Sequence, residues 1–426
     1  MKRPYDNSLV GAEMDAPMRI GYVGFMVYNA TFEINEVAEL LCQKPDSRIY
    51  TFHRRLESGV QTERVREIPT EIVTWSFRSI VSSFFYFFFR RPFALAGSAV
   101  SLLVQSYSNP LFWLKNTLVF LRALPILADA DKHSVTHLHA NFGSAPGTIA
   151  WLGKKILGTG MSMTHHAFDI YSTALDQRDP LKKRKLRDAD FVVAVHRHGL
   201  EHLMQLVPDA PKEKFKVIRI CVSLNSQPRQ PLDPPMLLAI GRLVPKKGFD
   251  VLLKAAAILK RRGTAVQVRI LGEGPALEEL TSLIQAEDIS DIVELAGHIP
   301  HSELGQHLAQ AKALVMPSII TPEGDRDGIP TVVVEAWISH TPVVASLVGG
   351  MAEVLKHDVT GLVFQSGDSE ELASNIDRLL GSDQLRKTLI EGGLSVAQSE
   401  FNPTINVREL INCVASGGDG FKKPRD

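Results

Sequence analysis

The sequence predicts an α/β protein built of two Rossmann-like domains, and three observations lead to this expectation. The chain has 426 residues, more than a single hydrophobic core usually serves. Its second half alternates short apolar segments with amphipathic ones, which is typical of parallel sheets covered by helices. Between the halves, NSQPRQPLDPP at 225–235 is rich in proline and has no hydrophobic periodicity, as expected of a linker.

The strand–helix alternation is clearest in the second half. The helix after the first strand carries Leu252, Ala255, Ala256 and Leu259 on one face. Parallel sheets bind ligands at the carboxyl ends of their strands, so ligand-binding residues are expected in the loops that follow these strands. The predicted strands are 236–241, 266–272, 292–297, 312–318 and 341–346.

The first half is less regular, with a helical region rich in aromatic residues and leucine at 76–130. Its predicted strands are 18–26, 135–142, 160–168 and 190–196. We assign 18–225 to an N-terminal domain, 226–232 to a linker, 233–398 to a C-terminal domain and 399–416 to a last helix. Residues 1–17 and the polar tail from Gly417 are expected to be irregular.

Composition narrows the functional classes. Basic and acidic residues number 47 each, so there is no overall attraction to nucleic acid. Cys42, Cys221 and Cys413 have neither metal-site spacing nor a disulfide pattern, and the N-terminus lacks the apolar core of a signal peptide. No run of about 18 uninterrupted apolar residues is visible. These features predict a cytoplasmic protein.

Two segments of the first half leave alternatives open. The run IVSSFFYFFF at 80–89, followed by Arg90 and Arg91, favours a buried helix, with a position in the membrane interface as the alternative. The basic residues between 182 and 187 favour a solvated helix face, with attraction to anionic lipid as the alternative.

Three loops of the second half contain residues suited to binding a phosphorylated ligand. In GRLVPKKG at 241–248, Arg242 and Lys247 stand beside a helix N-terminus, where a diphosphate would be stabilised, although ordinary surface charges explain this octapeptide equally well. In VGGMAEVL at 348–355, two glycines allow backbone amides to approach a phosphate.

The third loop, PEGDRDGIPTVVVEA at 322–336, supplies two carboxylates. Asp327 lies in the loop, and Glu335 lies on the helix that follows Pro330. A carboxylate on that helix can accept both hydroxyls of a ribose, and the loop acid can reach sugar hydroxyls. Taken alone, the segment is better explained as a capped helix with a chance acid.

Seven motifs occur in a fixed order in this half: GRL…KKG, LGEGP, AGHIP, MPS, EGDRDGIPTVVVEA, VGGMAEVL and VTGLVF. This order resembles glycosyltransferase family 4, retaining enzymes of the GT-B fold, and EGDRDGIP is similar to the branch that acts in bacterial exopolysaccharide and colanic acid synthesis. The resemblance is strong over 236–380, recognisable over 135–225 and weak over 40–130. It implies two domains whose sheets face a central cleft, with the last helix returning to the first domain.

The resemblance also implies roles for matching residues. Arg242 and Lys247, in the loop that Gly241 opens, would neutralise the diphosphate of a nucleoside diphosphate sugar. Glu335 would bind its ribose, and Asp327 would take the place of the first acid of the family's acidic pair. His166 would contact the transferred sugar from the N-terminal domain. Backbone amides would face the donor at Gly350, Met351 and Ala352.

Several features depart from the family pattern. Asn141 stands where relatives often have a second histidine, and the loop after the first strand lacks their paired glycines. His137 and His139 alternate along a strand, and His196 begins a helix, so structural roles are expected for them. Asp325–Asp327 also matches an acidic metal-binding triplet of another glycosyltransferase fold, but the surrounding pattern differs. We therefore expect no metal site and no cofactor beyond the donor substrate.

The predicted function is transfer of a sugar, with retained anomeric configuration, from a nucleoside diphosphate sugar to a hydroxyl of a glycan or lipid-linked glycan. Exopolysaccharide or cell-surface polysaccharide synthesis is the expected context, with peripheral association at the inner face of the membrane. Two alternatives remain at this level. One is a sugar phosphorylase or sucrose-type synthase of the same fold, and the other is a non-catalytic partner that binds a nucleotide sugar.

Overall fold

The structure is a computed structural model that describes residues 18–24, 31–51, 76–106, 110–171, 179–223 and 226–417. The predictions for residues 1–17, for the loop after the first strand at 25–30 and for the tail after Gly417 lie outside the described residues.

The N-terminal sheet has six parallel strands in the order β2-β1-β3-β4-β5-β6. A parallel sheet needs crossover connections, and the described part of each connection between successive strands contains at least one α-helix. The strands are β1 Ile20–Gly24, β2 Arg48–Thr51, β3 His137–Asn141, β4 Gly160–His165, β5 Phe191–Ala194 and β6 Phe215–Val217.

The C-terminal sheet also has six parallel strands, in the order β12-β11-β10-β7-β8-β9. The strand order reverses between β10 and β7, and a ligand crevice is expected at such a switch point. The strands are β7 Met236–Ile240, β8 Gln267–Leu271, β9 Val293–Gly297, β10 Ala313–Met316, β11 Val343–Ser346 and β12 Leu362–Phe364.

Fifteen α-helices are described. In the N-terminal domain they are α1 Thr31–Gln43, α2 Phe77–Arg90, α3 Pro92–Ser106, α4 Pro110–Lys132, α5 Ala145–Ile156, α6 Ala167–Tyr171, α7 Lys182–Asp188 and α8 Arg197–Leu206. In the C-terminal domain and beyond they are α9 Phe249–Arg262, α10 Leu277–Ala286, α11 His301–Gln310, α12 Thr331–Ile338, α13 Ser369–Gly381, α14 Asp383–Glu400 and α15 Pro403–Ala415.

Helix α9 illustrates how the sequence specifies these elements. Gly248 precedes it with φ 62° and Gly263 follows it with φ 76°, a left-handed conformation at each end that glycine adopts without steric cost. Leu252, Ala255 and Leu259 are fully buried against the sheet, as their helical spacing predicts. The helix therefore starts directly beneath the loop that carries Lys247.

The end of the chain joins the two halves. After α14, residues 403–415 form α15, which packs against α1 of the first domain. Val407 and Ile411 of α15 share a core with Ile34 and Val37 of α1. Arg229 in the linker donates to the carbonyl oxygens of Leu308 and Ala311 and so lies against the C-terminal domain.

The aromatic run 80–89 does not follow the favoured prediction of a buried helix. Its Phe87 is buried, but Phe84, Phe85, Phe88 and Phe89 are exposed. Only one narrow side of α2 meets the domain, so most of the phenylalanines face outward. In addition, α4 is long and apolar enough to cross a membrane, although half of its most apolar window is buried. By length and composition, α4 is thus the one single helix among the described residues that could span a membrane, and Lys115 and Arg122 interrupt its apolar run.

The basic run 182–187 is also only partly a solvated face. Lys185 is 1% exposed, and its Nζ donates to the carbonyl oxygen of Gly143 at 2.6 Å and to Asp179 Oδ2 at 2.8 Å. Lys182 is buried as well and donates to the carbonyl oxygen of Asp169. Two of the lysines are thus internal, whereas Lys183, Arg184 and Arg187 are exposed.

Candidate functional site

The loops that follow β7 and β10 meet at the carboxyl edge of the C-terminal sheet. Lys247 Nζ donates to Asp327 Oδ2 at 2.8 Å, and Lys246 Nζ donates to Asp325 Oδ1 at 3.0 Å. Ser318 Oγ also donates to Asp327 Oδ2, at 3.0 Å. Since β7 and β10 are neighbours in the sheet, residues 80 positions apart in sequence come together here. Two of the predicted residues, Lys247 and Asp327, therefore form one ion pair.

Glycines allow this loop to pack so closely. A Cβ on Gly248 would lie 2.0 Å from the carbonyl oxygen of Pro317, so only glycine fits against the exit of β10. A Cβ on Gly241, where φ is 157°, would lie 3.0 Å from Lys247 Cε. The stem of Lys247 therefore lies over Gly241, while the neighbouring Arg242 is exposed. The absence of a side chain at Gly241 thus leaves room for the aliphatic part of Lys247.

The glycine pair after β11 completes this edge. Gly349 has φ 60°, and a Cβ there would lie 1.9 Å from the carbonyl oxygen of Asp327. A short 3₁₀ helix, Gly349–Glu353, begins at this contact. Within it, Met351 is buried and its N–H donates to the Val348 carbonyl oxygen, whereas Ala352 is exposed. The predicted Gly350–Ala352 backbone thus adjoins Asp327, with the Met351 amide already engaged.

Glu335 lies on the helix that follows the Asp327 loop, in a more enclosed position than expected for a ribose-binding carboxylate. It is 2% exposed, on α12. His301 Nε2 at the start of α11 donates to Glu335 Oε1 at 2.8 Å. A ligand hydroxyl must therefore share Glu335 with His301 or displace it. His301 was not predicted, because it is 34 positions away from Glu335 and no local pattern links the two residues.

His166 faces this edge from the N-terminal domain. It follows β4 directly, and its ring packs against those of Phe32 and Phe142, with both centroids 4.6 Å away. Its Nε2 donates to Asn141 Oδ1 at 2.6 Å. Burial lowers the pKa of His166 to about 3, with a smaller effect from His196. His166 is therefore neutral at pH 7 and can act as a hydrogen-bonding group but not as a cation.

The N-terminal segment that carries His166 touches the loop that carries Asp327. A Cβ on Gly328 would lie 3.3 Å from Ala167 Cβ and 3.2 Å from His196 Nε2. Thus the segments that carry His166 and Asp327 lie against each other where the two domains meet. His196 accepts a hydrogen bond from the Gly199 N–H and so caps α8, which confirms its expected structural role.

A second contact between the domains was not predicted. Glu353, at the end of the 3₁₀ helix, accepts hydrogen bonds from the backbone N–H groups of Arg197 and His198, each at 2.9 Å. Arg219 donates to the same carboxylate at 2.8 Å. Burial alone would raise the pKa of Glu353, but these donors outweigh it and lower the pKa below its ordinary value. An acid of one domain thereby caps a helix of the other.

Two buried acids of the N-terminal domain were not predicted from the sequence. Glu33 and Glu36 on α1 are both buried, and a Cβ on Gly24 would lie 1.9 Å from Glu33 Oε1. Burial, together with the charge of Glu33, raises the pKa of Glu36 to about 8. Glu36 is therefore largely protonated at pH 7 and can donate a hydrogen bond. The motif TFEINE held both acids, but nothing in its pattern indicated that they face inward.

Among residues in the described ranges, no group of three or more His, Cys, Asp or Glu side chains is arranged to hold a metal ion. In the acidic triplet, Asp325 and Asp327 each pair with a lysine.

Comparisons with known proteins identify similar sequences and structures. Residues 224–395 match the family described as glycosyl transferases group 1. The chain is 29% identical over 281 residues to the colanic acid biosynthesis glycosyltransferase WcaL of Escherichia coli, covering 64% of this chain and 68% of WcaL. It is 32% identical over 204 residues to the amylovoran biosynthesis glycosyltransferase AmsK of Erwinia amylovora, covering 47% of this chain and half of AmsK.

The solved structures define the fold across nearly the whole chain. HepE of Anabaena, crystallised with UDP, superposes with a TM-score of 0.70 and 18% identity, covering 94% of this chain and all of HepE. A sucrose-phosphate synthase from Thermosynechococcus elongatus superposes with a TM-score of 0.65 and 19% identity, covering 93% of this chain and 98% of the synthase. The chain is a glycosyltransferase with the GT-B fold, and its residues 224–395 are similar to the group 1 glycosyl transferases.

Proposed function

We propose that the protein transfers a sugar, with retained anomeric configuration, from a nucleoside diphosphate sugar to a hydroxyl of a glycan intermediate in exopolysaccharide synthesis. One observation carries the proposal. Lys247, Asp327 and the glycine pair at 349–350 converge at the carboxyl edge of one sheet, opposite His166 of the other domain. A cation, an acid and a glycine-lined backbone in one cleft suit a diphosphate joined to a sugar.

The Lys247–Asp327 pair fits the junction between the diphosphate and the sugar. In the free protein, Asp327 balances the charge of Lys247 at 2.8 Å. A bound diphosphate would take over Lys247, and Asp327 would turn to the sugar hydroxyls with Ser318 as its remaining donor. As the bond to the sugar breaks, negative charge grows on the leaving diphosphate. Fixed cations at that point lower the barrier more than they stabilise the bound donor.

The remaining predicted residues complete this arrangement. Arg242, exposed beside Lys247, would add a second cation to the diphosphate. Glu335 would hold the ribose, with His301 moving aside or sharing the carboxylate. His166 is neutral, so we assign it a hydrogen bond to the transferred sugar and not a charge. In this scheme no step requires a metal ion or a further cofactor.

The identity of the substrates rests on the relatives. WcaL and AmsK are named for colanic acid and amylovoran biosynthesis, which supports an extracellular polysaccharide intermediate as acceptor. HepE was crystallised with UDP-glucose. A UDP-sugar is therefore the first donor to test.

The direct test is release of nucleoside diphosphate from a panel of UDP-, GDP-, ADP- and TDP-sugars. We expect release from at least one donor and its loss in Lys247→Ala. The matched control is Lys254→Ala, since Lys254 is an exposed lysine on the helix after the same loop, paired with Asp250 at 3.1 Å. The proposal would be refuted if the protein bound a nucleotide sugar but released no nucleoside diphosphate with any acceptor extract. It would then be a non-catalytic partner.

A further inference from the structure

Helices α2, α3 and the first half of α4 present an apolar surface that the fold leaves uncovered. We call it the helical platform, residues 77–106 and 110–118. Of the 19 exposed large hydrophobic residues that the structure describes, 13 belong to it. They are Phe77, Phe84, Phe85, Phe88, Phe89, Phe93, Val100, Leu103, Val104, Leu111, Trp113, Leu114 and Leu118. A monomeric soluble protein rarely exposes so many contiguous apolar side chains, which usually mark a binding surface.

The exposed phenylalanines of α2 lie on one side of the helix. Phe84 and Phe88 stack with centroids 6.1 Å apart, and Phe85 and Phe89 stack at 6.3 Å. The opposite side is anchored in the domain core by Phe87, which is fully buried. The platform is therefore a fixed surface of the fold, and its aromatic face is directed away from the protein.

The charges of this region are all of one sign. Between residues 76 and 128 the sequence has five basic residues and no acidic one, whereas the whole chain has 47 of each sign. The five are Arg78, Arg90, Arg91, Lys115 and Arg122. Some of them lie along aromatic rings: the Arg90 guanidinium is 4.4 Å from the Tyr86 ring centroid, and Lys115 Nζ is 5.6 Å from that of Phe112. Aromatic and apolar groups mixed with cations are typical of helices that lie in the interface of an anionic bilayer.

The acids appear where the platform joins the domain. Tyr86 donates to Asp131 Oδ2 at 2.8 Å, Arg91 pairs with Asp131 at 3.2 Å, and Arg48 pairs with Asp129 at 2.9 Å. This end of α4 leads into β3, at the amino edge of the sheet. The exposed first half of α4 lies at the other end of this helix, away from Asp129 and Asp131.

The helices are suited to lying in a membrane surface and not to crossing it. Helix α2 has 14 residues, about 21 Å at 1.5 Å per residue, while the hydrocarbon core is about 30 Å thick. Helices α2 and α3 meet at a bend of 118°, so together they do not form one straight span. Helix α4 is long enough, but its second half is buried in the domain core.

We propose that the helical platform docks the protein on anionic lipid bilayers, with its phenylalanines inserted in the interface and its exposed Arg78 and Arg90 at the headgroups. A second copy of the chain fits the surface less well. A symmetric dimer would place the same basic face on both partners and bring like charges together without any acid to balance them. The proposal concerns the surface alone and does not depend on the donor chemistry.

The test is flotation of the full-length protein with vesicles of phosphatidylcholine alone or containing about 30% phosphatidylglycerol. We expect binding to the anionic vesicles that weakens at high salt. Phe77, Phe89 and Phe93 are the most exposed aromatic residues of the platform, at 83%, 78% and 91%. Their replacement by serine, in one triple variant, should lower vesicle partitioning by at least about tenfold.

Matched controls separate this surface from general effects. A second triple variant carries serine at three positions outside the platform, Leu277, Val359 and Ile405. Each of these side chains is exposed to nearly half of its area. This variant should partition to vesicles as the wild type does. A double variant of the platform, Arg78→Gln with Arg90→Gln, should bind anionic vesicles more weakly than wild type. A control double variant, Arg261→Gln with Lys387→Gln, removes the same charge elsewhere on the protein and should bind as wild type does. Circular dichroism and thermal unfolding check that each variant is folded.

Two outcomes would overturn the proposal. One is wild-type protein that does not float with anionic vesicles at low salt. The other is a wild-type dimer in analytical ultracentrifugation that the triple serine variant dissociates while vesicle binding is unaffected. Because Lys247→Ala should still bind vesicles, a failure of the proposed glycosyl transfer is distinguishable from a failure of membrane docking.

Discussion

Replacing Lys247 with alanine perturbs the donor site at its best-defined contact. The ammonium group lies 2.8 Å from Asp327, and the two side chains are 14% and 11% exposed. At an effective dielectric constant of about 20, two unit charges at this distance attract by roughly 6 kcal/mol, much of which is offset by their desolvation. The cation is therefore held firmly beside the position proposed for the leaving diphosphate.

The expected catalytic effect follows from losing one fixed positive charge at a developing anion. Turnover should fall by about 10²- to 10³-fold, which corresponds to roughly 3–4 kcal/mol of barrier. The folded state should lose less, on the order of 1–3 kcal/mol, because Ser318 still donates to Asp327 and Lys246 lies 4.0 Å from its other oxygen. Activity should thus decline at temperatures where the variant remains folded.

The assay is diphosphate release under saturating donor, with thermal unfolding recorded for the same samples. Arg242→Ala should show a similar loss of turnover, since both cations are assigned to one diphosphate. Lys254→Ala, on the following helix, should behave as wild type. Near-normal turnover in both the Lys247 and Arg242 variants would refute the proposed phosphate contacts.

Three further predictions concern the ribose, metal dependence and pH. Glu335→Ala should weaken binding of the free nucleoside diphosphate by about 1–3 kcal/mol in calorimetry. Alanine at the exposed Glu323 should leave this affinity unchanged. If the Glu335 variant bound the nucleoside diphosphate as tightly as wild type, the ribose assignment would be contradicted. Activity should survive EDTA, because Asp325 and Asp327 are paired with lysines; loss on chelation with recovery in magnesium or manganese would show a metal site. Burial raises the pKa of Glu36 to about 8 in the folded protein, so between pH 4.5 and 8 only the unfolded chain releases its proton and stability declines as pH rises. Glu36→Gln should remove up to about 4 kcal/mol of this decline between pH 4.5 and 7.5 in denaturant titrations, and an unchanged pH profile would contradict the buried, protonated state.

The fold was predictable because its signals are local. Strand β7 was expected at 236–241 and spans Met236–Ile240, and α9 buries the face that its spacing indicates. A parallel sheet then places the following loops at one edge, so the region of the site could be inferred without knowing any contact. The pairing of Lys247 with Asp327 could not, because the neighbouring position of β7 and β10 is a property of the sheet order.

The errors also have physical causes. The rule that short apolar runs are buried failed for α2, because a helix on the outside of a domain buries only one side and this one is aromatic nearly all round. Lys182 and Lys185 look like surface charges in sequence, yet carbonyl groups and Asp179 surround them in the interior. His301 and Glu353 were missed because their partners lie on distant elements, and a single sequence contains no signal for such pairs.

The most direct test of the account is a crystal structure of the protein with a nucleoside diphosphate sugar bound. We expect the diphosphate to lie within hydrogen-bonding distance of Lys247 Nζ and the Arg242 guanidinium, with the ribose at Glu335 and the sugar between Asp327 and His166. The Lys247–Asp327 contact should lengthen from its present 2.8 Å as the phosphate takes over the lysine. The central claim would be contradicted by a donor bound elsewhere. It would also be contradicted if the Lys247–Asp327 pair stayed intact and its lysine lay beyond hydrogen-bonding distance of the diphosphate.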